Sequence, residues 1–205
     1  MAISIPDRVV VFDYGEVISR TPSTASQEAL LALAGVEAEP FLASYERHRH
    51  ALDQGRLSVV DYWRTIEREA GGSWDFARLQ QLWAVDFTRW FEPEPEVVAL
   101  IGELHDGGTR LAILSNAGFD FGDPFRRAPL GSVMERVVVS AELDLIKPDP
   151  EIYRRAMAEL GTDPAHTAFI DNKRVNVEAA AALGIAAHHF TGADGLRAFL
   201  EELAA

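Results

Sequence analysis

The residues of this chain best suited to chemistry stand where short apolar runs give way to polar ones. Asp13 closes the run RVVVFD (8–13), Ser115 and Asn116 close RLAILSN (110–116), and Asp171 closes TAFID (167–171), with Asn172 directly after it. Lys147 lies in a loop just ahead of an expected helix start at Asp149. The chain has no cysteine, so any nucleophile must be an oxygen or nitrogen group, and a disulfide framework or Cys-ligated zinc is excluded. Only two of the 19 basic residues are lysines, Lys147 and Lys173, which makes each worth a question; Lys173 suggests no role. Singly, each of these residues has an ordinary explanation, because polar residues end most strands and a lysine ahead of a capped helix is a common surface feature.

The elements that would position them follow from the pattern of apolar residues. The three runs above, with Arg136–Ser140 and Ala186–Phe190, are β-rich and lack a clean period of two, as strands buried on both faces of a parallel sheet do. Helical patterns lie between them: one from Asp149 as N-cap with Pro150 first and Gly161 past the end, one from after Asp171 to Gly184, and one over roughly 94–106. Strands alternating with helices predict an α/β fold with a doubly wound parallel sheet, and ligands bind such sheets beyond the carboxyl ends of the strands.

Residues 19–91 break the alternation and read as four helical segments, near 22–34, 39–52, 58–70 and 74–90. This divides the chain into a core of 1–18 with 92–205 and an inserted α-helical bundle of 19–91. All four tryptophans (Trp63, Trp74, Trp83, Trp90) fall in the insertion, and Leu79, Trp83, Phe87 and Trp90 recur at helical spacing, so they are expected to form its core. The basic group Arg47, His48, Arg49, His50 and Arg56 is expected to be mostly a solvated helix face, with at most two members turned to a site. His188 and His189 read as ordinary strand residues, with no metal assigned.

The chain of 205 residues is 48% hydrophobic and carries 32 acidic against 19 basic residues, a net charge of −13. That composition makes a full-sized core and excludes disorder. So acidic a surface repels the phosphate backbone of nucleic acid, and no nucleic-acid partner is expected. The sequence contains no signal-type N-terminus and no apolar run long enough to span a bilayer, so a cytoplasmic protein without a membrane partner is expected.

In this order, VVVFDYGEVI, LAILSNA, LIKPDPEIY and FIDNKRVNVEAAAALGI resemble the four motifs of the haloacid dehalogenase superfamily, in the subfamily whose helical cap lies between the first and second motifs. The likeness spans essentially the whole chain. It implies a Rossmann-like core with a helical cap and a Mg²⁺-dependent phosphatase acting on a small phosphorylated metabolite. Asp13 would be the nucleophile that forms an aspartyl-phosphate. Ser115 and the Asn116 backbone N–H would hold phosphoryl oxygens. Lys147 would neutralise charge on Asp13 and on the transferring group. Mg²⁺ would be met by Asp13, the Gly15 carbonyl and Asp171.

Two positions depart from the family's phosphatases. Gly15 stands where they carry the general acid, and Asn172 where a second carboxylate is common. Glu16 and Asn172 are candidates for a supporting shell around the metal, although Glu16, one position past the acid's, is expected to point elsewhere. Without the acid, the substrate should have a leaving group that departs easily, such as a sugar phosphate. The first motif is similar to that of bacterial phosphatases acting on glucose 1-phosphate, which also have Gly there. Two other activities remain compatible: a phosphoryl-ligand binding protein with little or no turnover, and a 2-haloacid dehalogenase, which needs no Mg²⁺ and is disfavoured by the retained Asp171.

Overall fold

Five parallel strands form the centre of the molecule, a computed structural model that describes residues 2–205. They are β1 (Val9–Phe12), β2 (Arg110–Ser115), β3 (Arg136–Val139), β4 (Thr167–Asp171) and β5 (Ala186–His189), in the order β3-β2-β1-β4-β5. The chain winds outward from β1 to β3 and then returns to the other side of β1, so the strand order reverses at β1. Such a reversal opens a crevice at the carboxyl ends of the central strands.

Alternate residues of the strands face opposite layers. Val10, Phe12, Leu111, Ile113 and Ile170 pack under α5 (Pro95–Asp106), α6 (Phe119–Arg127) and α10 (Ala193–Ala204). Val9, Val11, Ala112, Leu114 and Phe169 pack under α8 (Pro150–Leu160) and α9 (Arg174–Ala181). Burial on both faces explains the near-continuous apolar runs. β5 departs from this expectation: all four of its residues are only half-buried, whereas the other edge strand, β3, buries three of its four.

The helix signals act as expected at α8, where the Asp149 side chain accepts from the Glu151 N–H and Gly161 takes a left-handed φ of 58°. α9 stops at Ala181, short of Gly184, and a turn covers the difference. α6, the single-turn α7 (Ser140–Leu143) and α10 add to the expected helices. In α6 an internal Pro124 and Gly122 obscure the helical pattern.

Between β1 and α5 lie α1 (Thr24–Ala34), α2 (Ala38–Asp53), α3 (Val59–Glu69) and α4 (Phe76–Thr88). Side chains of Ser23, Ser58 and Asp75 cap α1, α3 and α4. These helices bury a cluster of their own that includes Phe41, Tyr62, Trp63, Ile66 and Leu82. Where the chain leaves and rejoins the sheet, Ser19 and Pro93 form an antiparallel bridge, Arg20 N donates to Glu92 O and Glu94 N to Ile18 O, both at 2.8 Å.

The tryptophan expectation needs correction. Trp63 and Trp74 are in the bundle core, but Trp83 only borders it and Trp90 packs against the core under the sheet. The stripe Leu79–Trp83–Phe87–Trp90 runs along α4 from the bundle interior to the contact with the sheet, so one amphipathic face serves two cores. Among the described residues, no helix is long and apolar enough to cross a membrane.

Phe41 is fully buried and its ring meets Tyr45, Trp63 and Trp74. Phe41→Ala should cost about 3–5 kcal/mol in urea unfolding. Phe76→Ala, at a ring 73% exposed, should change it by less than about 0.5 kcal/mol.

Candidate active site

The parallel register brings together residues far apart in sequence. Phe12 pairs with Ile170, so Asp13 and Asp171 follow side by side at the carboxyl ends of β1 and β4. On the other side of β1, Ser115 ends β2. Asp13 and Ser115 border a cavity of about 500 Å³, with Asn116, Lys147 and Asn172 also from the sheet side and Arg49, Asp53 and Trp90 from the helical insertion; Asp171 lies buried behind it. A second cavity of about 440 Å³, near Arg8, Arg110 and Asp163, contains none of the expected site residues.

Lys147 is the centre of the arrangement. Its Nζ donates to Asp13 Oδ1, to Asp171 Oδ2 and to the Leu114 carbonyl, each at 2.8 Å. Its side chain is 1% exposed. Burial alone would weaken that charge, but the two carboxylates outweigh it and raise the Lys147 pKa. Burial likewise pushes Asp13 up to about 6, against the pull of Lys147, with Asp171 adding to the rise and the Tyr14 N–H opposing it. Neutralisation of Asp13 by Lys147 is therefore built in. Contact with a transferring group is not, because all three ammonium protons are already taken and one bond would have to be released.

Each member of this trio is held from behind. Asn116 and Lys147 exchange two hydrogen bonds, Nδ2 to the Lys147 carbonyl at 3.0 Å and the Lys147 N–H to Oδ1 at 2.9 Å. The Asn116 side chain thus fixes the lysine loop, a role that its residue type did not announce. Asp171 accepts from Asn176 Nδ2 at 2.9 Å and from the Lys173 backbone N–H at 2.7 Å. Lys173, without a role in the sequence, supplies this backbone donor and begins α9. Asn176, in turn, donates nothing to Tyr153 but accepts from it, the phenol reaching the Asn176 carbonyl at 2.9 Å.

Gly15 and its neighbours take an unexpected form. A Cβ at Gly15 would lie 3.7 Å from Trp90 Cζ3, an ordinary contact, so an indole ring borders the position of the missing acid. Glu16 has a left-handed φ of 59°, rare for a residue with a Cβ, and its Oε2 accepts from Asn172 Nδ2 at 2.6 Å. The left-handed backbone directs the Glu16 side chain to Asn172 at the cavity rim. Asn172 Oδ1 is buried with no hydrogen-bond partner.

Of the basic group, Arg49 and His50 reach the cavity. Arg47 and His48 pair with Glu69, and Arg56 with Asp144. Arg49 is no solvated residue: with Asp53, Asp86, Arg89 and Tyr45 it forms a buried network of alternating charge. His188 stacks on Phe199 and His189 Nε2 bonds the Asn172 carbonyl at 2.9 Å.

The donor set suits a hard cation. Asp13 Oδ2 takes no bond from the described residues, Asp171 is its neighbour, and Asn172, next in the chain, has an unpartnered side-chain oxygen. All are oxygen ligands, as Mg²⁺ prefers, and no group of three acidic or histidine side chains among the described residues forms an all-protein cage.

Residues 8–184 match the haloacid dehalogenase-like hydrolase family. The chain belongs to this family. This haloacid dehalogenase-like hydrolase is 25% identical over 188 residues, 90% of both chains, to the sesquiterpene phosphatase astK of Aspergillus oryzae. It is 30% identical over 126 residues to phosphoserine phosphatase of Thermus thermophilus, covering 60% of this chain and 51% of that one. Its fold is shared with the family enzyme bt-2542 of Bacteroides thetaiotaomicron at TM-score 0.70 and 18% identity, over 88% of this chain and 92% of that one. An L-2-haloacid dehalogenase of Xanthobacter autotrophicus shares it too, at TM-score 0.66 and 16% identity over 88% and 76%.

Removing the lysine would leave two buried carboxylates facing each other. Lys147→Met should therefore lower stability at pH 7 by about 3 kcal/mol or more in urea unfolding, and the further change Asp13→Asn should recover part of the loss.

Proposed function

We propose that this hydrolase is a Mg²⁺-dependent phosphatase that cleaves a small phosphomonoester through an aspartyl-phosphate. The observation that carries this reading is the Asp13–Lys147–Asp171 cluster at the strand-order reversal, with oxygen donors around it. Asp13, the Gly15 carbonyl and Asp171 would hold Mg²⁺, which supplies positive charge against the phosphoryl oxygens. Oδ2 of Asp13, the carboxylate oxygen not tied to Lys147, attacks phosphorus, and the bond to the leaving oxygen breaks with its electron pair. Ser115 Oγ and the Asn116 N–H bind phosphoryl oxygens. Water then cleaves the acyl phosphate and regenerates Asp13.

Lys147 keeps Asp13 ionised in a buried setting where its pKa would otherwise rise further. The helices of the insertion act as a cap, excluding water and contacting the leaving group through Arg49 and Trp90.

No carboxyl at position 15 protonates the leaving oxygen, which must depart without help. This favours a sugar 1-phosphate or an aryl phosphate over an alkyl ester. The cavity wall agrees in kind, since Trp90, Tyr14, Phe121 and Phe125 offer aromatic surface to a ring. The same absence favours a second reading, a protein that binds a phosphoryl ligand without turnover.

A panel of esters assayed for phosphate release separates these. Activity should need Mg²⁺, vanish with EDTA and fall to background in Asp13→Asn. A sugar 1-phosphate or aryl phosphate should exceed a simple alkyl phosphate. Gly15→Asp should raise the alkyl rate by up to about 10²-fold and the activated esters far less. Phosphate binding with no release from any ester would support the ligand-binding reading instead, and metal-independent halide release from a 2-haloacid a dehalogenase.

A further inference from the structure

Two charged groups that border the cavity have no part in the phosphoryl chemistry: Asp53, the last residue of α2, and Lys173, at the start of α9. Asp53 Oδ1 accepts from Arg49 Nε at 2.9 Å, whereas Oδ2 takes no bond from the described residues. Lys173 is held at its backbone, whose N–H donates to Asp171; its side chain is exposed and its ammonium has no partner among the described residues. Burial pushes Asp53 up to about 6, against the pull of Arg49 and, after it, of Lys173. The ammonium is therefore near enough to act on the carboxylate, yet the two form no ion pair. A free acceptor and a free donor are left with an interval between them.

Both are anchored to the elements that carry the phosphoryl-binding residues. The Asp53 carbonyl accepts from Ser140 Oγ, which itself accepts from the Ala117 N–H at 2.9 Å, directly after Ser115 and Asn116. This docking needs Gly55, where a Cβ would meet the Ala141 carbonyl at 2.6 Å. Lys173 is tied to Asp171 at the end of β4. The two anchor points thus lie at β2 and β4, on either side of the strand that carries Asp13.

The chemistry of the pair restricts what can fill the interval. A negatively charged leaving group meets Asp53, and a positively charged one meets Lys173. An aryl ring offers no donor and would leave the free oxygen of a largely buried carboxylate unsatisfied. Neighbouring hydroxyls satisfy both groups, one donating to Oδ2 and the next accepting from the ammonium. A site whose polar groups await a hydroxyl discriminates strongly against an analogue that lacks it. Trp90, on the same cavity, supplies an apolar surface for the C–H face of a sugar ring.

We propose that Asp53 and Lys173 form the leaving-group subsite, that its ligand is a neutral, polyhydroxylated sugar, and that the pair selects a sugar phosphate over an aryl phosphate. The inference rests on the phosphatase reading of the Asp13 cluster and narrows its substrate class.

The test compares kcat/KM for a hexose 1-phosphate and for phenyl phosphate, with Mg²⁺ and above neutral pH, and uses thermal melting to establish that each variant folds. The wild-type chain should prefer the sugar ester. In Asp53→Asn the amide keeps its oxygen on Arg49 and turns a donor to the cavity in place of an acceptor, so the sugar-to-phenyl ratio should fall about 10- to 100-fold. Lys173→Met changes an exposed, unpaired side chain; it should lower the ratio about 10-fold at an unchanged melting temperature. If Asp53→Asn fails to fold, the Lys173→Met ratio decides. An unchanged ratio in a folded variant, or a wild-type preference for the phenyl ester, would overturn this inference and leave the phosphatase reading standing. A wild-type chain that releases phosphate from no ester would overturn both.

Discussion

The ammonium of Lys147 lies in a space that water does not reach, shared by two carboxylates and a strand carbonyl. Two carboxylates on adjacent strands repel in a low-dielectric interior, and one cation between them turns repulsion into attraction on both sides. Much of the architecture serves that arrangement. The parallel register sets Asp13 beside Asp171, Leu114 offers its carbonyl from β2, and the Asn116 clamp holds the loop from which the lysine reaches in. Buried ion clusters add little net stability, because desolvation offsets most of the attraction. This one is better understood as a charge-balanced site, in which Lys147 opposes the tendency of burial to favour the neutral form of Asp13.

A chain of aromatic rings joins the helical insertion to that site. Trp83 meets Phe87, Phe87 meets Phe121, Phe121 meets Phe125, and Phe125 lies 4.1 Å from the ring of Tyr14, the residue after Asp13. Trp83 also donates its indole N–H to Asp120 Oδ2 at 2.6 Å. Large rings in edge and offset contact give a stiff, non-directional seam. Only two chain crossings connect the insertion to the sheet, so the seam and the contacts of Gln54 and Arg56, just past α2, with Asp144 set where Arg49 and Trp90 line the cavity beside Asp13.

Elements were legible where local signals agree. All five strands were marked by apolar runs, and α8 by Asp149, Pro150 and Gly161, because capping and burial act over a few residues. α6 was not, since Gly122 and Pro124 break its pattern and only packing of Phe121 and Phe125 under the sheet makes it a helix. The tryptophans misled for a related reason. Helical spacing says that Trp83 and Trp90 are on an apolar face, and it carries no information about which of two cores that face meets.

The sequence by itself determined the five strands and most of the helices between them, the family, and the candidate residues Asp13, Ser115 and Asp171 at strand ends with Lys147 in the loop before α8, because residue type and local spacing encode those. Only the tertiary structure decided that all three Lys147 protons are already engaged, that Asn116 works through its side chain, and that Trp90 borders Gly15. It alone turned Glu16 toward Asn172, a result of one left-handed backbone angle and a partner 156 residues away. Such contacts depend on register and on the closing of long loops. Neither leaves a periodic trace in the chain.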